Sequence, residues 1–149
     1  MADGHELAMA LRGAYLALHR RTDAALARHR VTADQFVLMA ALARGEATTQ
    51  RELARRTASD PSTVRAMLVL LERRKFVARA PHPTDARART VALSATGRRV
   101  YERLWAASEP VRDELLAAIG EGDAATLLGH LARVASEMAD KTEPVTENV

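Results

Sequence analysis

Residues 49–93 read TQRELARRTASDPSTVRAMLVLLERRKFVARAPHPTDARARTVAL, and the architecture of the chain unfolds from this stretch. Thr49 stands three residues before Glu52, a capping-box spacing, ahead of Leu53 and Ala54; this predicts a short helix ending near residue 57. In Ser59-Asp60-Pro61, Asp60 is an N-cap residue and Pro61 takes the favoured first helical position. The helix that follows, over 61–74, places Val64, Met67, Leu68 and Leu71 on one face and Ser62, Thr63, Arg65, Ala66, Val69 and Arg73 on the other. Beyond Lys75 the period changes from 3.6 to 2, so 76–79 and 90–93 read as strands with Val91 and Leu93 on one side. Between them, 80–89 holds two prolines, Thr84 and Asp85, which predicts a hairpin with a long basic loop.

Working outward, Leu7, Leu11, Tyr15, Leu18, Ala25 and Leu26 form a helical stripe over 3–29. Such a helix is about 40 Å long, more than a small domain needs for its own core, so it packs against something else. Thr32 and Gln35 repeat the capping-box spacing before a helix over 33–44 carrying Phe36, Val37, Met39, Ala40 and Leu42, closed by Gly45. Ser94 caps a helix over 95–119 with Val100, Leu104, Val111, Leu115 and Ile119, which Pro110 is expected to kink or divide. Gly120-Glu121-Gly122 ends it, and a last helix over 123–139 shows Leu127, Leu128, Leu131, Val134 and Met138.

The expected fold class is therefore mainly α: a winged helix-turn-helix with a small β-hairpin wing and flanking helices, which the family resemblance given below makes dimerisation helices. Residues 1–30 and 110–141 form the helical dimerisation region, 31–109 the winged lobe and connecting helix, and 142–149 a frayed tail.

Composition narrows the function. With 149 residues, 48% hydrophobic and 28% charged, the chain is long enough for one unstapled core and too apolar for wholesale disorder. It has no cysteine, which excludes disulfides, thiolate metal sites, a cysteine nucleophile and thiol-based sensing. No stretch approaches 18 uninterrupted apolar residues and no secretory signal opens the chain, so the expected location is cytoplasmic, with no membrane partner. The net charge of +3 conceals a division: residues 50–89 carry ten basic against four acidic side chains, net +6, and the remainder carries −3. A basic middle with acidic flanks fits a polyanion partner. The five histidines, His5, His19, His29, His82 and His130, include no helical i,i+3 or i,i+4 pair, so no metal is expected. Neither a Gly-x-Ser-x-Gly turn nor a phosphate-binding glycine loop is present; no catalytic residue is assigned, and the chain is read as no enzyme.

A helix bearing small polar residues and Arg on one face fits the major groove of double-stranded DNA, while a basic hairpin reaches the adjacent minor groove. Ser62, Thr63 and Arg65 lie in the first turns of that helix and Ala66, Val69 and Arg73 further along the same face. Amides near Thr49 and Gln50 are expected to hold phosphates, as is His82 when protonated, and Arg87 and Arg89 belong to the wing. For Arg51, Arg55 and Arg56 a solvated face explains the charge equally well. Tyr15, His19, Met39 and Trp105 are candidates to line an effector pocket, although core packing explains Met39 as well and Trp105 also fits a dimer interface.

Several blocks in this order resemble the MarR family of transcriptional regulators: Val31-Thr32-Ala33-Asp34-Gln35-Phe36, Thr49-Gln50-Arg51-Glu52-Leu53-Ala54, Ser62-Thr63-Val64, Leu71-Glu72-Arg73-Arg74, Val77-Ala78-Arg79, Asp85-Ala86-Arg87 and Leu93-Ser94-Ala95-Thr96-Gly97. The resemblance implies a homodimer whose first and last helices interlock, two winged DNA-binding lobes, and repression relieved by a small molecule, an aromatic acid being one class, with no other cofactor. In such a homodimer Leu7, Leu11 and Tyr15 with Leu127, Leu131 and Val134 are expected to build the isologous interface. It also implies that Arg87 is the wing arginine inserted in the minor groove and that Asp85, the acid of the same Asp-x-Arg motif, braces the wing. Lys75 departs from the family's usual Gly after the recognition helix, which predicts a strained or replaced left-handed cap. Ala66 replaces a commonly polar or basic residue, and Val69-Leu70 replace a frequent Asp-Arg pair, so Ala66 and Val69 are candidates to touch thymine methyl groups. The alternative in another class is a winged-helix protein-interaction or architectural module with weak, nonspecific DNA binding.

Overall fold

A computed structural model of the chain describes residues 1–139. The expected tail over 142–149 lies outside the described residues. The elements, in chain order, are α1 (Gly4–Leu26) followed by a 3-10 turn (Ala27–His29), α2 (Ala33–Ala43), β1 (Thr48–Thr49), α3 (Gln50–Arg56), α4 (Pro61–Arg73), β2 (Val77–Pro81), β3 (Arg89–Leu93), α5 (Ala95–Ile119) and α6 (Glu121–Ala139). The described residues divide into two compact units, 1–111 and 112–139.

In the first unit, local chemistry fixes the helix starts. Thr32 and Gln35 form a complete capping box, the Thr32 side chain accepting from the Gln35 amide at 3.1 Å and the Gln35 side chain from the Thr32 amide at 3.1 Å. At α3 only half of that arrangement exists. Thr49 accepts from the Glu52 amide at 3.2 Å, but the Glu52 carboxylate is taken by Arg55 and Arg56. Asp60 caps α4 by accepting from the Ser62 and Thr63 amides, each at 3.1 Å.

The core gathers Leu26, Leu38, Met39, Leu53, Val64, Leu68, Leu71, Val91 and Leu104, all essentially without solvent exposure. The sheet has the order β1-β3-β2, antiparallel throughout, with Thr48 opposite Val91 and Val77 opposite Leu93. The strand β1 adds to the expected hairpin; β2 begins one residue after the expected 76 and runs two residues past 79, and β3 begins one residue before 90. The loop they leave is consequently 82–88, shorter than the expected 80–89. Pro81 closes β2, an edge strand, where its missing N–H breaks no ladder.

The left-handed end of α4 resolves the question posed by Lys75. The Phe76 amide donates to the Leu71 carbonyl at 3.0 Å and the Lys75 amide to the Glu72 carbonyl at 2.9 Å, with Lys75 at φ 60°. This is a complete Schellman motif with a non-glycine residue in the position that favours glycine. Ala58, at φ 49°, ends α3 the same way: the Ser59 amide reaches the Ala54 carbonyl at 2.9 Å and the Ala58 amide the Arg55 carbonyl at 3.2 Å. The chain thus retains both turns around α4 without using glycine at either.

Phe76 is also the seat of α5. The Ser94 amide donates to its carbonyl at 3.0 Å, the Ser94 hydroxyl donates to the Lys75 carbonyl at 2.6 Å, and the Gly97 amide donates to that hydroxyl at 2.9 Å. A Cβ at Gly97 would lie 1.9 Å from the Phe76 oxygen, so residue 97 is held to glycine by space. Pro110 lies inside α5, which nevertheless runs as one helix from Ala95 to Ile119 and is not divided there. Gly120, at φ 87°, then ends it.

In the second unit, α6 begins at Glu121, two residues before the expected start, and none of its side chains is buried. Leu128, Leu131, Val134 and Met138 are all exposed. A helix whose apolar positions find no cover contributes little stability in water.

Candidate nucleic-acid interface

The face of α4 opposite the core is formed by Ser62, Thr63, Arg65, Ala66, Val69 and Arg73, every one exposed, with Leu70 exposed beside them. The sequence placed the first six on this face; Leu70 widens its apolar part. Ser62 and Thr63 are oriented by the cap: the Ser62 hydroxyl donates to the Asp60 carboxylate, and the Thr63 hydroxyl approaches the same oxygen at 3.4 Å. The Ser62 hydroxyl first, then the Thr63 amide, hold the Asp60 carboxyl below its ordinary pKa, so the cap remains ionised at neutral pH.

Thr49 and Gln50 lie at the start of α3, where the Thr49 hydroxyl is already engaged as a cap. Gln50 Oε1 accepts from Arg79 Nη1 at 3.5 Å, and Arg79 Nε donates to Glu72 Oε2 at 3.0 Å. Arg79 on β2 therefore ties the sheet to both helices, a role that its place in a strand pattern did not announce. On α3, Arg55 binds Glu52 through Nη2 at 2.6 Å and Arg56 binds the same carboxylate at 3.2 Å. The hydrogen bond from Arg55 is the largest cause that lowers the Glu52 pKa from 4.5 to about 2. Two of the three α3 arginines are thus partly neutralised within the helix.

Arg74 is spent structurally. Its guanidinium donates to the Arg30 carbonyl and, at 3.2 Å, to the His29 carbonyl, and it lies 4.5 Å from the Phe76 ring centroid. Arg30, at φ 55°, occupies a left-handed turn whose carbonyl is satisfied this way.

In the wing, Arg87 and Arg89 are exposed and make no ion pair among the described residues. The Asp85 carboxylate accepts from the backbone amide of Arg87 at 3.0 Å, shaping the turn that carries Arg87 instead of pairing with another charge. His82 Nδ1 accepts from the amides of Thr84 at 3.2 Å and Asp85 at 3.0 Å. A ring nitrogen that accepts cannot be protonated, so this geometry differs from the imidazolium expected at a phosphate.

None of the four residues considered for an effector pocket, Tyr15, His19, Met39 and Trp105, lines the concavity described below. Met39 is fully buried in the core. His19 bridges Asp23 through Nδ1 at 3.3 Å and Asp34 through Nε2 at 3.2 Å, with the Tyr15 ring 5.7 Å away. Trp105 lies with Phe36 and Tyr101, and the Arg44 guanidinium sits 5.6 Å from its ring centroid. A concavity of about 470 Å³ in the first unit is lined by Phe36, Val37, Ala40, Ala41, Arg44, Arg56 and Thr57. Leu7, Leu11 and Tyr15 on α1 and Leu131 and Val134 on α6 are exposed, and Leu127 is half-buried.

Residues 30–88 match the model of the MarR family. No curated protein sequence matches the chain closely enough to count as a relative. Among solved structures, a mutant MarR from E. coli complexed with operator DNA is 24% identical, covers 86% of this chain and 92% of its own, and superposes with a TM-score of 0.78. The repressor CouR bound to a 23-mer DNA duplex is 26% identical over 91% of this chain and 99% of its own, TM-score 0.77. BpsR from Bordetella bronchiseptica, a protein whose DNA binding is regulated by 6-hydroxynicotinic acid, is 25% identical over 87% of this chain and 98% of its own, TM-score 0.78. The family is one of non-enzymatic DNA-binding regulators. With α3 and α4 as a helix-turn-helix and β2–β3 as a wing, the chain has the fold of the winged-helix transcriptional regulators of the MarR family, and it is similar to that family in sequence over residues 30–88.

Proposed function

We propose that the protein is a homodimeric, sequence-specific repressor that binds a pseudo-palindromic DNA operator and releases it on binding a small molecule. In this reading α4 enters the major groove and the wing reaches the minor groove. The observation that carries it is the α4 face: six side chains of helical period stay exposed, and two exposed arginines follow on a hairpin of the same compact unit. Arg65 has the donors for a guanine edge, Ser62 and Thr63 suit either pairing, and Ala66 and Val69 offer methyl surface to thymine. Arg87 and Arg89 supply positive charge for the narrower groove.

Dimerisation is supported by the uncovered apolar positions of α1 and α6, since neither stripe is sealed within the single chain. Two lobes related by a dyad would address half-sites about 10 bp apart. A small-molecule effector is supported by the regulation of BpsR by 6-hydroxynicotinic acid and by a concavity whose volume suits such a ligand. Binding there would shift the population away from the lobe spacing that fits DNA.

Titration against fragments of the source genome at two salt concentrations tests this. A sequence-specific regulator retains preferred fragments as salt rises. Uniform collapse on all fragments, with a slope of about −0.9 per neutralised phosphate, would instead indicate a nonspecific module.

A further inference from the structure

We propose that His82 is a positioning residue of the wing, acting as a neutral cap that sets the loop carrying Arg87, and not as a phosphate ligand. The inference rests on the DNA-binding reading above for its function, and on the loop geometry for its mechanism. The 82–88 loop is held by five bonds. The His82 amide donates to the Ala88 carbonyl at 3.2 Å and the Ala88 amide to the Asp85 carbonyl at 3.2 Å. His82 Nδ1 accepts from Thr84 and Asp85, and the Asp85 carboxylate accepts from Arg87. The two side-chain caps form a relay: the imidazole orders the Asp85 backbone, and the Asp85 side chain orders the Arg87 backbone. Pro81 and Pro83 flank His82 and restrict its neighbours' φ angles, so the ring meets a turn that is already partly set.

A side-chain acceptor that takes the amides two and three residues ahead is the pattern normally supplied by Asn, Asp, Ser or Thr. Histidine does the same work while adding no negative charge to a surface proposed to meet phosphates. It also fixes the tautomer. With Nδ1 an acceptor, the proton resides on Nε2, which leaves the ring neutral with one N–H donor.

The chemistry chooses the variants. Asparagine places Oδ1 where Nδ1 lies, so His82→Asn keeps the cap; glutamine carries its oxygen one carbon further out, so His82→Gln loses it, as does His82→Ala. The expected result is that His82→Ala and His82→Gln each weaken operator binding roughly tenfold, which is what losing about 1.4 kcal/mol of loop ordering amounts to. His82→Asn stays within about threefold of wild type, inside the scatter of a retained hydrogen bond. Thermal midpoints of His82→Ala and His82→Gln should fall by no more than about 3–6 °C, the equivalent of the same loop ordering, so all three chains stay folded where binding is measured. In the wild-type chain, imidazole nitrogen shifts should show the Nε2–H tautomer, and the salt slope of binding should not change in His82→Ala.

Binding by His82→Asn as weak as that of His82→Ala would overturn the proposal. So would an Nδ1–H tautomer, or a slope smaller by about 0.9 in His82→Ala, the mark of a lost phosphate contact. A wild-type chain that bound no duplex at all would overturn the DNA reading itself, whereas these three outcomes on a wild type that does bind overturn only the role of His82.

Discussion

Replacing Lys75 with glycine should stabilise the protein, although it removes a side chain and a charge. Lys75 sits at φ 60°, and an L-residue pays about 1–2 kcal/mol for that conformation. Both Schellman bonds are well made, at 2.9 and 3.0 Å, so the motif needs no repair and only the strain is there to recover. Against this, glycine gives the unfolded chain more freedom, a loss of about 0.5–1 kcal/mol. The difference leaves a net gain of about 0.5–1 kcal/mol. Lys75 is exposed, so no packing is lost with it. Urea unfolding followed by far-UV circular dichroism should show a higher midpoint for Lys75→Gly with an unchanged m-value. All chains should be compared at one concentration, since association would add its own stability. Lys75→Ala is the control: it removes the charge and keeps the Cβ, and should show no gain. Equal midpoints for Lys75→Gly and Lys75→Ala would refute the strain argument and assign any change to the lysine side chain.

Gly97→Ala should act oppositely, costing about 1–3 kcal/mol of overpacking because the neighbour at 1.9 Å is backbone and cannot rotate away; a urea midpoint equal to wild type would contradict it. Glu52 titrates near 2 in the folded chain against an ordinary value of 4.5. Its lowered pKa stabilises the fold above the ordinary carboxylate range, and this contribution is lost as pH falls from about 4.5 towards 2. Glu52→Gln should therefore flatten the stability profile in that window, measured by urea midpoints at successive pH values. Arg87→Ala should weaken operator binding and reduce the salt slope by about 0.9 with the thermal midpoint unchanged; identical affinity would remove the wing from the proposed mechanism. Arg65→Ala should flatten discrimination at one base pair of each half-site, by about 1–3 kcal/mol, in a selection over randomised duplexes.

What could be read from the sequence was what neighbouring residues decide among themselves. Thr32 with Gln35, and Asp60 with Pro61, announce helix starts because the capping atoms lie within four residues of the amides they serve. The spacing of Val64, Leu68 and Leu71 fixed the buried face of α4, and hence the exposed one. Features that depend on distant partners were not visible. Thr48 and Thr49 have no alternation to mark a strand; they become one only by pairing with Val91 and Thr90 on β3. Arg74 looked like one more cation at a helix end until the fold brought it to carbonyls more than forty residues earlier. Glu52 had the right spacing for a full capping box, but Arg55 and Arg56 compete for its carboxylate from one helical turn away. His82 was legible as a polar wing residue but not as an acceptor, because its role depends on how the loop turns.

The central claim is that α4 reads base edges in successive major grooves while the wing lies in the minor groove beside them. Hydroxyl-radical footprinting combined with methylation interference, on a fragment selected from genomic DNA, tests it most directly. The account predicts two patches of guanine interference with centres about 10 bp apart, each flanked by minor-groove protection that disappears in Arg87→Ala. Protection spread evenly along the duplex, with no interference at any guanine, would contradict it.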